Sequence, residues 1–425
     1  MPKSYFMILY YNNRSGFFIE YYKNQRKAKG YKMSAICGIV DFGRGSVSPD
    51  MLRDMARAMI LRGREQSGAY VVRGVGLAHD RMILSGGAHE RQPYTVRRGG
   101  RDYTIVFDGE LNNIGDIADI FEIGAFSSSA EAALECYIAF GYECVQYLEG
   151  SFAFAVYDES GGEIFLARDK RGGKPLYYAA DGENLIFSSE IKGILRCFPE
   201  GAEVSARAVR KILEGNVGEV RGGDLYLGIS ELPAGSFALH SRLGTQVWSY
   251  RRRTDGDSSF SARRGEVITP DIDVTDTPIE PLLCETLTAF DYPCFDEYML
   301  GFLTSLKAHR GARSVTVADR SLSFGESYSL ERADRLGMMN AMMVNVVSHE
   351  DDKRVKNSVF SRLEKRLKEI AAEHLGGGAC RTNEIFGEDI LSFAERQKET
   401  RARVRIYGAA LQTEYWLASY PIIIK

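Results

Sequence analysis

No CxxC pair occurs among the seven cysteines of this chain. An odd, scattered set excludes a disulfide scaffold and a zinc ribbon, and it fits a reducing cytoplasm. The six histidines lack ligand spacing as well, so no metal site is expected. No apolar run approaches the roughly 18 residues that a membrane-spanning helix needs. A large charge of either sign is also missing. A net charge of -3 gives no electrostatic basis for binding nucleic acid or an anionic membrane, and neither is expected as a partner. No internal repeat is visible. What is present is 425 residues, 44% hydrophobic and 11% aromatic, enough for two or three domains with real cores.

Residues 1–32 stand apart. They carry seven Lys/Arg against one acid, Glu20. The stretch "YFMILYY" is too short and too aromatic for a signal h-region, and no small-residue cleavage site follows it. Met33 is the expected start, which makes 1–32 a mis-called start. The alternative is a pro-segment whose removal exposes Cys37.

From Ile36 to about Tyr250 the chain reads as strands with a few helices. Ser48-Pro49 suits an N-cap and first helical position, with Met51, Leu52, Met55 and Met59 on one face of a helix that stops near Gly63. Ala130 to Phe140 reads as a second helix. Ser205 to Leu213 reads as a third, closed by Gly215. Between them lie "SFAFAVYD", "GEIFLARD", "KPLYYAAD" and "NLIFSSE", strands joined by glycine turns. These runs are apolar enough to be buried on both faces, which predicts two sheets packed between helices. Residues 251–268 are polar and Gly/Ser-rich, a linker. Residues 269–425 read as mostly helical, with Val359, Phe360, Leu363, Leu367 and Ile370 at helical spacing up to Gly376.

Eight stretches carry the chemistry, in this order: "CGIVDF", "LRGREQSG", "LAHDRM", "FDGELNN", "LEGSFAFAVYD", "LARDKRGGKPLYY", "FSSEIKGIL" and "ELPAGS". Together they resemble the glutaminase domain of the glutamine-hydrolysing asparagine synthetases, class II glutamine amidotransferases. The resemblance covers residues 33–250. It implies an α+β fold, a four-layer αββα sandwich of the N-terminal-nucleophile hydrolase type, followed here by a smaller, mainly helical domain. The activity it implies is attack of a cysteine thiolate on the side-chain amide of L-glutamine, release of ammonia, and hydrolysis of the glutamyl thioester.

Three parts of that reaction map onto this sequence. The nucleophile would be Cys37. In the family the cysteine is the first residue and its α-amine, with a pKa of about 8, is the base. An internal Cys37 offers only an amide nitrogen, so it lacks this base unless everything before it is removed. Its other reading is a small buried hydrophobe in the first strand. The oxyanion hole would fall on Asp108 and Gly109, where the family has Asn-Gly. An ionised Asp108 cannot donate a hydrogen bond, and losing one such donor typically costs ~3–4 kcal/mol. A protonated Asp108 could donate if its pKa were strongly raised. Glutamine binding would fall on Arg81, on Glu110 and on Ser129, where the family has an amine-binding Asp. Ser129 reads equally as the N-cap of the next helix, and Arg81 as a structural arginine. Arg168-Asp169 reads as a turn that shapes the domain.

The family also carries a synthetase domain whose "SGGxDS" loop cradles pyrophosphate from ATP, with magnesium. No such loop is present. Ser85-Gly86-Gly87 lies inside the glutaminase-like half, and Gly376-Gly377-Gly378 reads as a C-cap and turn. Residues 285–330 faintly resemble a later part of the synthetase domain, with Ala318-Asp319-Arg320-Ser321-Leu322 replacing an acidic, glycine-rich segment. Residues 269–425 therefore read as a truncated, degenerate synthetase domain, or as an unrelated helical domain. No cofactor is expected. Two function classes stay open: an enzyme, acting as a weak or processed glutaminase or as an ammonia donor, and a non-catalytic scaffold with a protein partner or a homodimeric state.

Overall fold

The computed structural model describes residues 32–43, 45–59, 62, 66–83, 91–251, 267–268, 278–308, 314–319, 343–348, 357–376 and 380–425. The 1–31 lead, the Ser85-Gly86-Gly87 stretch, most of the 251–268 linker, and residues 320–330 and 377–378 lie outside them.

Two six-stranded sheets dominate the first half. The first has the order β11-β8-β9-β1-β3-β2, built from β1 (Lys32–Asp41), β2 (Gln66–Val72), β3 (Val75–Ile83), β8 (Tyr177–Asp181), β9 (Asn184–Ser188) and β11 (Ser230–Glu231). The second has the order β13-β12-β7-β6-β5-β4, from β4 (Tyr94–Arg98), β5 (Arg101–Leu111), β6 (Gly150–Asp158), β7 (Glu163–Arg168), β12 (Ser236–Ser241) and β13 (Gly244–Ser249). All pairings within the two sheets are antiparallel. The sheets bury one face against each other: Ile36, Val40, Val75, Leu77 and Phe187 of the first meet Val106, Ala153, Ala155, Leu166 and Ala238 of the second. Each outer face is covered by helix. Leu52, Met55 and Met59 of and just after α1 (Pro49–Ala58) pack on Ala35, Cys37 and Ala78. Ala133, Leu134 and Tyr137 of α3 (Ser129–Phe140) pack on Phe107, Phe154 and Phe165. This is the αββα sandwich, and its central strands are apolar on both faces because both faces are covered, whereas the edge strands β4 and β13 are largely exposed.

The helix signals behave locally as expected, with small shifts. Ser48 caps α1 through its hydroxyl, and Ser205 caps α5 (Ala206–Leu213), with Gly215 past its end at φ +84°. Helix α1 closes at a Met59 C-cap, short of Gly63. The cap of α3 is Ser128, whose hydroxyl accepts from Glu131 N–H at 3.1 Å; Ser129 is already the first helical residue, a correction to its reading as the cap. The Arg168-Asp169 turn is a hub: the buried Asp169 carboxylate accepts from the N–H groups of Phe152, Arg171, Gly173 and Lys174.

Short helices α2 (Ile114–Ile120), α4 (Ile191–Leu195) and α6 (Gly222–Leu225) complete the first half. The second half contains α7 (Ile279–Phe290), α8 (Glu297–Ala308) and helices Asn357–Leu375, Arg381–Phe386, Ile390–Glu395 and Thr400–Ser419. It also holds a three-stranded parallel sheet of Val267–Ile268, Ser314–Asp319 and Met343–Ser348, which the helical periodicity did not announce. One apolar cluster runs through both halves, joining Ile191, Val209, Ile212, Leu213 and Tyr226 to Leu283, Phe290, Phe295, Leu367 and Trp416. Strand Ile422–Ile424 pairs in parallel with β10 (Ala202–Val204). Among the described residues no helix is long and apolar enough to cross a membrane.

Candidate functional site

Strand alternation decides what β1 can present. Successive side chains point to opposite faces. Ile36 and Val40 face the second sheet, so Ser34 and Gly38 share that side, and Ala35 and Cys37 face α1. Gly38 has no room for a side chain, because a Cβ there would lie 2.3 Å from the Phe187 ring. The Cys37 Sγ lies 4.0 Å from the Leu52 carbonyl and is fully buried. Burial, with smaller contributions from Asp80 and Cys197, pushes its thiol pKa far up. It is a neutral thiol at neutral pH. Its backbone nitrogen is a strand amide, not a free amine.

The residues before Cys37 are part of the sheet. Ser34, Ala35 and Ile36 are buried, and Lys32 to Val40 pair with β3. On the other side, pairing with β9 begins only at Cys37. There Ile36 N–H donates to Ser189 Oγ at 3.0 Å, Ser189 N–H donates to the Ile36 carbonyl at 2.9 Å, and Arg62 donates to the Ser34 carbonyl at 3.3 Å.

Asp108 sits on β5 between Phe107, which faces α3, and Gly109, which stays in register opposite Phe152. Its register partner Ala153 and its alternation partner Val106 both face the first sheet, and Asp108 does too. Its carboxylate is fully buried, with Oδ2 2.9 Å from Arg62 Nη1. The same guanidinium reaches Glu190 through Nε at 2.7 Å. Gly109 has φ +126°, and a Cβ there would lie 2.0 Å from the Ser151 carbonyl, so only glycine fits. Arg81 pairs in register with Ser34, and His79 with Ile36, which turns both toward the second sheet. His79 is buried, and its Nε2 has no hydrogen-bond partner among the described residues. Burial, helped by the nearby Arg81 charge, lowers its pKa to about 3, so it is neutral.

The structure thus gathers Asp108, Gly109, Arg62, Arg81 and His79 at the inter-sheet side, and it leaves Cys37 on the opposite face of its own sheet. The oxyanion that would form on a carbonyl oxygen when Sγ attacks its carbon would develop away from Asp108.

A family model described as a glutamine amidotransferase domain matches residues 33–251. The chain belongs to that family. The glutamine-hydrolysing asparagine synthetase 3 of Bacillus subtilis is 31% identical over 223 residues, which cover 51% of this chain and 36% of that protein. A putative glutamine-hydrolysing asparagine synthetase 2 of Methanocaldococcus jannaschii is 33% identical over 181 residues, 38% of this chain and 35% of that protein. The chain spans about a third of the length of these curated relatives. The solved glutamine phosphoribosylpyrophosphate amidotransferase of B. subtilis, in complex with ADP and GMP, is 15% identical and covers 73% of this chain and 65% of its own, with a TM-score of 0.39.

Within the amidotransferase domain, two candidate glutamine contacts lie at the rim of this region. Glu110 is exposed on the far side of Gly109. Ser129 is buried, and its hydroxyl accepts from Leu111 N–H at 3.1 Å, tying α3 to the end of β5. Four residues with structural weight at the site gain their role only from the structure: Arg62, His79, Ser189 and Glu190. Their signal was available. Arg62 and Glu190 are charged residues embedded in the glycine-rich "LRGREQSG" and the apolar "FSSEIKGIL", and a charge in such a setting is expected to find a partner.

Proposed function

We propose that this is an asparagine-synthetase-like protein of glutamine amidotransferase fold, in which hydrolysis of L-glutamine is impaired and ATP-dependent asparagine synthesis is lost. It then acts as a binding or scaffold protein in the cytoplasm. One observation carries the reading: Cys37 and Asp108 lie on opposite faces, and Asp108, an acceptor where the reaction needs a donor, is held in a buried ion pair with Arg62. Loss of synthesis rests on the sequence, which has no pyrophosphate-cradling loop. Gly376 does not supply one: it follows a helix end, its N–H bonded to the Ala372 carbonyl.

The test is glutamate release from L-glutamine by the full chain beside its Cys37→Ala variant. Equal, background rates are expected; Cys37-dependent turnover by the full chain would overturn the reading. Asparagine formation from aspartate, ATP and glutamine or ammonia would overturn the loss of synthesis.

A second reading has one observation in its favour. The segment before Cys37 is tied on the β9 side only through Ile36 and Ser189, and removing it keeps the β1–β9 register from Cys37 onward. A version beginning at Cys37 gains a free α-amine and freedom for its first side chain to turn. Glutamate release by that version, absent from its Cys37→Ala control, would make this a glutaminase or ammonia donor that works after processing.

A further inference from the structure

The Arg62–Asp108 pair does not stand alone. Five buried, alternating charges run from it into the helical half. Arg62 joins Asp108 at 2.9 Å and Glu190 at 2.7 Å. Lys192 Nζ lies 2.8 Å from the other oxygen of Glu190 and 3.1 Å from Asp291 Oδ1. The Lys192 N–H donates to Asp291 Oδ2 at 3.0 Å, and Nζ also donates to the Thr288 carbonyl at 2.7 Å. None of the five side chains is more than 10% exposed.

Asp291 is where the two halves meet. It closes α7 in the left-handed conformation, at φ +68°. Its carbonyl accepts from Tyr226 of the amidotransferase domain at 2.7 Å and from the Trp416 indole of helix Thr400–Ser419 at 3.1 Å. Its carboxylate accepts from Tyr420 at 3.4 Å. The place of Asp291 is therefore fixed by α7, by the sandwich and by the last long helix together.

We propose that Lys192 and Asp291 are positioning residues for the Arg62–Asp108 pair, so that the docked helical half sets the geometry of the candidate glutamine site. The physical reason is competition for one carboxylate. Lys192 divides its attraction between Glu190 and Asp291. When the Asp291 charge is removed, the whole attraction falls on Glu190 and draws it from Arg62 Nε. In a low-dielectric interior such a shift is not screened by water. The proposal rests on reading Asp108 as the centre of the site. Its readout needs no ligand, so its failure and the failure of the proposed function can be told apart.

The experiment follows the Arg62 Nε–H signal by NMR in the full chain carrying isotope-labelled arginine, assigned by its loss in Arg62→Lys. Asp291→Asn is expected to move this signal upfield and to speed its exchange with solvent by about tenfold or more. Trp416→Phe loosens the same docking without touching the charges. It is expected to lower stability and to move the signal far less than Asp291→Asn does. If both variants move the signal equally, or if folded Asp291→Asn leaves it unmoved, the positioning role is refuted. Should Asp291→Asn fail to fold, Tyr420→Phe decides: it withdraws only one bond from the Asp291 carboxylate. Freed of that donor, Asp291 takes more of Lys192 and releases Glu190 toward Arg62, so a small downfield shift supports the proposal, and no shift or an upfield one overturns it.

Discussion

Replacing Arg62 by Met tests the site most directly. The guanidinium is fully buried, and both carboxylates it binds are at most 4% exposed. Removing one partner of a buried pair typically costs ~3–5 kcal/mol, because the other charge stays behind without water. Glu190 keeps Lys192 at 2.8 Å, so most of the damage falls on Asp108. The Ser34 carbonyl also loses a donor at 3.3 Å, worth about 1 kcal/mol. Arg62→Met should therefore destabilise the chain by about 4–6 kcal/mol. Asp108→Asn should cost far less, since the amide oxygen can still accept from Arg62. In the double variant position 108 carries no charge, and the two effects should fall short of adding by about 2 kcal/mol or more. Urea unfolding of the four proteins, read from the buried Trp416, measures all of this. A cost below about 1 kcal/mol for Arg62→Met, or simple additivity, would refute the buried pair as described.

Other consequences can be checked separately. Cys37 should resist thiol reagents at neutral pH until the chain unfolds, because burial holds it as a neutral thiol; rapid labelling of folded protein would contradict its position against Leu52. Gly109→Ala meets both a positive φ and the Ser151 carbonyl at 2.0 Å, and should cost about 3 kcal/mol or more in a melting experiment. His79 is held neutral, with a folded pKa of about 3 against 6.5 when exposed. The unfolded chain therefore binds the extra proton between these values. Stability should fall as pH drops through that window, by at most about 1.4 kcal/mol per pH unit, and His79→Asn should flatten the slope between pH 6 and pH 4.

The layered fold was legible because its central strands are apolar on both faces, a pattern that only a doubly covered sheet satisfies. Caps were legible to within a residue: Ser48 as expected, Ser128 in place of Ser129, and Ser205 as the cap where the sequence reads it as the first helical residue. The parallel sheet of the second half was not legible. Its strands "SVTVAD" and "MVNVVS" are short and apolar, and such runs cannot be told from buried helix by period alone. At the site, motif order pointed to Cys37, Asp108 and Arg81 but could not say which way each faced. Facing depends on where β1 begins, and β1 already runs as strand at Lys32, before the cysteine. The partners of Asp108 escaped for another reason. Arg62 and Glu190 are separated by 128 residues in sequence, and no local pattern links them.

The apolar cluster shared by the two halves carries a consequence for how such a chain can be cut or inherited. Ile212, Leu213 and Tyr226 on one side and Leu283, Phe290 and Trp416 on the other bury one another. A protease nick between residues 252 and 266 would sever the chain without separating its products, which would persist as a complementing pair and melt in one transition. Expression of 33–250 by itself would leave that surface bare and invite aggregation. Descent by modular swapping is closed to a protein of this kind: a new C-terminal half would have to arrive with a matching apolar face and an acid in place of Asp291.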